Sequence, residues 1–146
     1  MMGLRGTIWQ FAILVLLAAL AVHGLGQGKD DKQSALVARG KYIADDVAVC
    51  SQCHTPRDGQ GNLDRSKWLE GAPVWLQSAR PVQDWPLQAP RIAGDPPGTD
   101  AEMITLLTTG IWRDGKTLRP PMPQFRMSAD DARAVVAYLK TLTQRR

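Results

Sequence analysis

The feature that most constrains this chain is the segment Cys50-Ser51-Gln52-Cys53-His54, which holds both of its cysteines and one of its two histidines. Two cysteines three positions apart can lie on one side of a helical turn. A disulfide, a thioredoxin-like redox pair or half of a zinc site would also use this spacing. However, the sequence has no βαβ pattern to carry a redox pair, and the only other histidine, His23, lies in the N-terminal apolar region, which leaves a zinc site short of ligands.

The interpretation that remains is covalent attachment of one c-type haem. The sulfurs of Cys50 and Cys53 would form thioethers with two vinyl groups at one porphyrin edge, and His54 would be an axial ligand of the iron. Thioether bonds retain a cofactor even when its axial bonds weaken, which suits an exported protein. We therefore predict one haem c, bound through these three residues.

The sixth iron position needs a second ligand, and a methionine is the natural candidate because no second histidine lies in the predicted domain. Met103 falls within the apolar pattern of a helix, and Met127 directly precedes a helix cap, where apolar residues usually pack against the helix. Met122 differs, because the run Pro120–Pro123 restricts its backbone and lowers the entropy lost when a weak Fe–S bond forms. Met122 is therefore the predicted ligand, with core filling as the alternative.

Residues 1–26 are predicted to be a signal peptide or a signal anchor. Arg5 is followed by twelve consecutive apolar residues, 11–22. Extended back to Ile8, the stretch has 15 positions, fewer than the ~20 that span a bilayer. Cleavage after a small-x-small site is therefore favoured over a tether formed by residues 8–25. Both routes predict a periplasmic or extracytoplasmic domain, with membrane association through the N-terminus left open.

The rest of the chain is predicted to be a linker, residues 27–33, followed by one all-α domain, residues 34–146. Most of the ten prolines lie between Pro56 and Pro97, which predicts a long structured loop over residues 55–98. No convincing strand pattern is present. Three helices are predicted: one capped by Ser34 and ending near Val49, one from the capping box of Thr99 and Glu102 to Gly110, and one from Ser128 to about Thr143.

Residues 35–143 resemble the class I cytochrome c family. The resemblance rests on the Cys50–His54 motif, on the run Pro120–Pro123 and on the segment Ala134–Leu139 of the last helix. The stretch from Arg39 into the cysteine motif is similar to small bacterial cytochromes related to haem subunits of membrane-bound dehydrogenases. The resemblance implies a small all-helical domain around one covalent haem.

The resemblance also implies several contacts. The first and last helices would cross with Gly40 against Tyr138. The carbonyl of Pro90 would accept a hydrogen bond from His54, and Arg91 and Trp112 would reach the haem propionates.

One departure from the smallest family members is the length of residues 57–88. This stretch contains three tryptophans, which are expected to pack over a haem edge and close the core. Partner docking is the alternative, and it would require exposed rings in one patch. The three residues are Trp68, Trp75 and Trp85.

Electron transfer is the function that these observations favour, because a His/Met pair leaves no open iron position for a substrate. A peroxidase would need such a position and a distal acid-base residue, and a sensor would need an output domain. We expect no catalytic residues. The expected partners are redox proteins: a dehydrogenase as donor, and an oxidase or another cytochrome as acceptor. The chain could also be the haem subunit of a dehydrogenase complex. The net charge of +4, without clustered Lys and Arg, argues against nucleic acid as a partner.

Overall fold

A computed structural model describes residues 28–142. The chain divides into two units, residues 1–35 and residues 36–146. In the first unit, residues 28–35 are helical. The predicted signal peptide or anchor lies outside the described residues. Within residues 28–142, no helix has the length and apolar character needed to cross a membrane.

Helix α1 runs through residues 28–42 and continues as one π-helical turn, Ile43–Val47. The predicted N-cap at Ser34 is wrong. Ser34 lies inside α1, where its hydroxyl donates to the Asp31 carbonyl oxygen at 2.9 Å, as serine does in the middle of helices. Residues 28–33, predicted as a linker, are helical too, whereas the domain boundaries stay a prediction. A positive φ of 47° at Val49 separates α1 from the cysteine motif.

Three further helices follow: α2 at Ser51–His54, α3 at Asp100–Thr109 and α4 at Ala129–Thr141. The capping box of α3 is confirmed, since Thr99 and Glu102 each accept the other's backbone N–H. Gly110, with φ of 73°, ends α3 as predicted. Ser128 caps α4 as predicted, and the helix ends slightly before the expected Thr143.

The segment between α2 and α3 is mainly irregular, as the prolines predict. It contains a short 3₁₀ turn, Arg65–Lys67, and two antiparallel strands of two residues each. Strand β1, Ala72–Pro73, pairs with β2, Gln88–Ala89. The strands were not predicted, because two residues are too few to show an alternating pattern. Nearly all of the regular secondary structure in residues 28–142 is helical, which confirms the predicted fold class.

The core of the second unit forms where α3 packs on α4 and where α4 packs on the π-helical turn. Its largest fully buried side chains include Leu69, Leu139 and Val135. α1 crosses α4 at Gly40, where a Cβ atom would lie 1.8 Å from the Ala134 carbonyl oxygen and 2.9 Å from Cβ of Tyr138. Only glycine allows this approach, so the crossing implied by the resemblance is present.

Polar contacts supplement this crossing. Tyr138 donates its hydroxyl hydrogen to the Asp45 carboxylate at 3.0 Å, and Lys41 donates to the same oxygen at 2.8 Å. Burial, reinforced by Asp45, raises the pKa of Tyr138 to about 12. The phenol therefore remains a hydrogen-bond donor at neutral pH.

Gly40→Ala should lower the free energy of unfolding by about 2–3 kcal/mol, because overpacking at the crossing exceeds the ~1 kcal/mol gained in helix propensity. Guanidinium denaturation of the cofactor-loaded protein measures the change. Gly59→Ala is the matched control, since no atom lies within 4 Å of its added Cβ. Equal stability of the two variants would contradict the close helix crossing.

Candidate functional site

The cysteine motif begins directly after α1. The Cys50 N–H donates to the Ala44 carbonyl oxygen at 2.9 Å, which attaches the motif to the π-helical turn. α2 is a single turn, closed by a bond from the His54 N–H to the Cys50 carbonyl oxygen at 3.0 Å. π-helical turns occur often at functional sites. This one fixes where the motif leaves the helix.

The His54 side chain is buried and bonds to Pro90 at a distance of 2.7 Å from Nδ1 to the carbonyl oxygen. A carbonyl can only accept, so Nδ1 carries the hydrogen, and a neutral ring leaves the Nε2 lone pair for a metal. Burial lowers the pKa of His54, while the bond to Pro90 opposes that shift. The hydrogen bond is the one implied by the resemblance.

Pro90 is held near His54 by the preceding irregular segment. The Gly71 N–H donates to the His54 carbonyl oxygen at 2.8 Å, and the Leu69 N–H donates to Oγ1 of buried Thr55 at 2.9 Å. The Leu69 carbonyl oxygen then accepts from the N–H of Ile92 at 3.0 Å. We call these bonds the Leu69 ladder. They tie Ile92, two residues after Pro90, to the residues around His54, while the pairing of β1 with β2 holds Ala89 on the other side of Pro90.

Gly71 makes this close approach possible. Its φ is 85°, and a Cβ atom there would lie 2.8 Å from the Arg91 nitrogen and 2.9 Å from the Ala89 carbonyl oxygen. Position 71 therefore needs glycine for two reasons, the left-handed backbone and the adjacent chain. The sequence shows a glycine among prolines, but nothing in it indicates the neighbouring backbone.

A cavity of about 790 Å³ lies beside His54, within the size range of small-molecule and cofactor sites. The structure brings four of the predicted site residues to its wall: His54, Pro90, Trp112 and Met122. The other apolar lining includes Ile92, Met103, Leu106 and Leu118. Of these four, only Met103 was singled out from the sequence, as part of the apolar pattern of a helix.

Met122 lies in residues 118–127, a non-helical segment that we call the strap. Hydrogen bonds attach one end of the strap to Gly110, the C-cap of α3, and the other end to α3 itself. The Leu118 N–H donates to the Gly110 carbonyl oxygen at 2.8 Å, and the Met127 N–H donates to the Leu107 carbonyl oxygen at 3.1 Å. Met122 itself is partly buried. The strap thus holds its thioether at the cavity wall.

Both cysteines are partly buried free thiols, and neither is among the residues that line the cavity. Burial raises the pKa of Cys50 to about 11, which keeps its thiol protonated. Reactive CxxC pairs instead need a thiolate with a lowered pKa. Within residues 28–142, no group of three or more His, Cys, Asp or Glu side chains is placed to hold a metal ion.

The cavity wall also carries charged side chains that sequence reasoning missed. Arg113, Lys116 and Arg119 line it, and Arg119 donates to the Asp84 carbonyl oxygen at 2.9 Å. All three lie in a stretch rich in turn residues, and nothing in the sequence indicates that their side chains line the same cavity. Arg91 is not among the lining residues, and its predicted propionate contact stays a prediction.

The three tryptophans of residues 57–88 differ in their surroundings, and none lines this cavity. Trp68 packs against the core, as expected for core closure, whereas its packing over a haem edge stays a prediction. Trp85 is partly buried and donates its indole N–H to the Leu76 carbonyl oxygen at 3.0 Å. Trp75 is 55% exposed.

Comparison with known proteins gives consistent matches. A family model described as Cytochrome c matches residues 37–143. A "Diheme cytochrome c-type" protein of Cereibacter sphaeroides is 30% identical over 107 residues, which are 70% of this chain and 34% of that protein. The cytochrome c subunit of a quinone alcohol dehydrogenase of Gluconobacter oxydans is 30% identical over 138 residues, 89% of this chain and 26% of that protein.

A third relative is the fructose dehydrogenase cytochrome subunit of Gluconobacter japonicus. It is 27% identical over 109 residues, which are 71% of this chain and 21% of that protein. The chain therefore spans about a third of the length of the first relative, and about a quarter or less of the other two.

Gly71→Ala should loosen the approach of Pro90 to His54 and lower the free energy of unfolding by about 1–3 kcal/mol more than Gly61→Ala does. Gly61 is the matched control, because its φ is 88° but no atom lies within 4 Å of an added Cβ. Denaturation gives the stability difference. Proton exchange at His54 Nδ1, followed by NMR, should accelerate only in Gly71→Ala. Equal exchange in both variants would mean that Gly71 does not position Pro90.

Proposed function

Because the chain belongs to the cytochrome c family of electron-transfer domains, we propose that it is a single-electron carrier with one covalent haem c. Cys50 and Cys53 would form the thioethers, and His54 and Met122 would be the axial ligands of the iron. The observation that carries this proposal is that His54 and Met122 line the same cavity.

The residues that line the cavity fit such a group, and the two cysteines lie outside this lining. The cavity has about 790 Å³, apolar side chains on its wall, a histidine with Nε2 free and a methionine thioether. Small domains bury little apolar surface, so a large apolar cofactor would complete this core. When bound, the haem iron supplies a reversible one-electron couple.

The chain's own residues would set the properties of that couple. Pro90 holds the His54 ring in one orientation and fixes its tautomer, and such outer contacts raise the basicity of a ligand. The strap on α3 pre-orders Met122, so that little entropy is lost when a weak iron–thioether bond forms. A filled sixth position favours electron transfer over substrate chemistry.

The basic residues of the cavity wall, which also carries Asp84 and Asp114, suit the two carboxylates of a haem. We infer that Arg113, Lys116 and Arg119 face the propionates, together with the Trp112 indole, since all four line the cavity. Arginine and lysine pair favourably with carboxylates. All three of these side chains are exposed, so each pair would contribute modestly. Arg91 remains a further candidate for this role.

A second candidate function is that of a haem subunit in a dehydrogenase complex. It is favoured by two relatives that are named cytochrome subunits of fructose and alcohol dehydrogenases. In either case the donor would be a dehydrogenase, and the acceptor an oxidase or another cytochrome. Residues 1–26 would export the domain to the periplasm, as a cleaved signal peptide or as a retained anchor.

Met122→Ala should abolish the weak near-infrared band of a methionine–iron bond in the oxidised protein and lower the reduction potential, because methionine ligation raises it. Met127→Leu is the control, since Met127 packs on the core away from the cavity wall. Met103 does line the cavity, so Met103→Leu is the discriminating variant. Loss of the band in Met103→Leu but not in Met122→Ala would make Met103 the ligand.

Mass spectrometry of the denatured protein should show one haem per chain, retained through two thioethers. Cys50→Ala and Cys53→Ala should each keep at most one thioether, and the double variant should keep no covalent haem. Covalent haem in the double variant would contradict the assignment.

The mass of the native protein's N-terminus, measured in the same experiment, distinguishes a cleaved signal peptide from a retained anchor.

A further inference from the structure

An exposed apolar surface lies next to the cysteine motif. Trp75 is 55% exposed, Leu87 80% and Val49 45%. Together with exposed Gln52 they form what we call the Trp75 surface. Exposed apolar residues that lie close together commonly mark interaction sites.

Hydrogen bonds connect the members of this surface. The Gln52 N–H donates to the Val49 carbonyl oxygen at 2.9 Å, and the Trp75 indole N–H donates to the Gln52 carbonyl oxygen at 3.0 Å. The Val74 N–H, next to Trp75, donates to the Leu87 carbonyl oxygen at 2.9 Å. The four residues are therefore neighbours in space although 38 positions separate the first from the last.

The Trp75 ring is fixed although it is exposed. The Arg57 guanidinium carbon lies 4.9 Å from the ring centroid, and Arg57 also donates to Gln52 Oε1 and to the Gly61 carbonyl oxygen, both at 2.8 Å. With the indole N–H also bonded, little entropy remains to be lost on docking. Rigid exposed tryptophans are frequent hot spots of protein interfaces.

The surface is also close to the predicted attachment point of the cofactor. The Gln52 carbonyl that accepts the Trp75 indole belongs to the peptide bond that continues into Cys53. One hydrogen bond and the backbone of one residue thus connect the ring to the Cys53 side chain. A route this short would couple the Trp75 ring electronically to a cofactor bonded to the Cys53 sulfur.

We propose that the Trp75 surface is where a redox partner protein docks and exchanges one electron with this chain. This rests on the proposed function, in which Cys53 is bonded to the haem. The reduced centre of the partner would lose one electron, and the ferric iron of a haem bonded to this chain would gain it. Discharge to an acceptor reverses these roles, and Trp75 itself is neither oxidised nor deprotonated.

The chemistry of the surface specifies the partner. Its four side chains are uncharged, and the guanidinium of Arg57 is engaged by Gln52, by Gly61 and by the ring. The complementary face of the partner is therefore mainly apolar, with no cation opposite Arg57, whose charge these neutral groups do not cancel. Docking of this kind depends only weakly on ionic strength, unlike docking steered by charge.

Voltammetry of the haem-loaded full chain tests this proposal, with a methyl-terminated alkanethiol monolayer on gold as the apolar probe and a carboxylate-terminated monolayer as the charged one. The wild type should adsorb on the methyl surface with similar affinity at low and high salt. Trp75→Ala should lower that affinity about 30-fold, the loss typical of a hot spot. Trp75→Phe should retain most of the affinity but slow electron transfer, because the ring stays while the bond to Gln52 is lost.

Trp85→Phe is the matched control. It removes an indole N–H bond of the same 3.0 Å length, to the Leu76 carbonyl oxygen, outside the Trp75 surface. Equal losses in Trp75→Ala and Trp85→Phe would overturn the proposal, as would wild-type adsorption on the carboxylate surface alone. A wild-type dimer that Trp75→Ala converts to monomers would assign the surface to a second copy of the chain and overturn it too.

Redox titration in solution with small mediators separates this proposal from the function on which it rests. Every variant should keep the wild-type spectrum and midpoint potential. An intact couple with unchanged adsorption of Trp75→Ala would overturn the docking surface alone. The absence of any reversible couple in the wild type would overturn the proposed function and the docking surface together.

Discussion

The hydrogen bond from His54 Nδ1 to the Pro90 carbonyl oxygen is the contact on which the arrangement of the site depends. It joins the single-turn helix α2 to a segment 36 residues later. A bond of this kind contributes only about 0.5–1.5 kcal/mol to folding. Its larger effect is on the ring, because contacts that orient a metal-binding histidine typically change metal affinity about 10–100-fold. The Leu69 ladder and the missing side chain of Gly71 serve to keep this one distance short.

The Met122 side of the cavity is held by a second set of contacts. Gly40 brings α1 into contact with α4, α4 packs on α3, and the end of α3 anchors the strap that carries Met122. The histidine is thus positioned by the irregular segment after α2, and the methionine by the helical frame. The two sides are also joined directly. Arg119 of the strap donates to the Asp84 carbonyl oxygen at 2.9 Å, and the Gly94 N–H donates to the Leu139 carbonyl oxygen of α4 at 2.8 Å.

Local interactions were predicted well from the sequence, and contacts between distant residues were not. The capping pair Thr99 and Glu102 and the cap at Ser128 involve neighbours three positions apart, so their residue types were sufficient. The predicted N-cap at Ser34 was wrong because serine is common at N-caps but can also bond to the preceding turn from inside a helix. The bond to Pro90 was expected only from a family resemblance. The role of Gly71 could not be predicted, because it depends on backbone that approaches from residues 89–91.

The tryptophans show why composition alone could not assign the segment between α2 and α3. Trp68 packs on the core, whereas Trp75 is exposed, donates its indole N–H to the Gln52 carbonyl oxygen and has the Arg57 guanidinium 4.9 Å from its ring centroid. The same segment therefore has an inner part, which fixes His54 through the Leu69 ladder, and an outer part, which shapes the surface beside the cysteines. The inner part consists mainly of backbone bonds, which tolerate exchange of the side chains that point outward. A surface on this segment can therefore change to suit a different partner while the histidine that it positions stays in place.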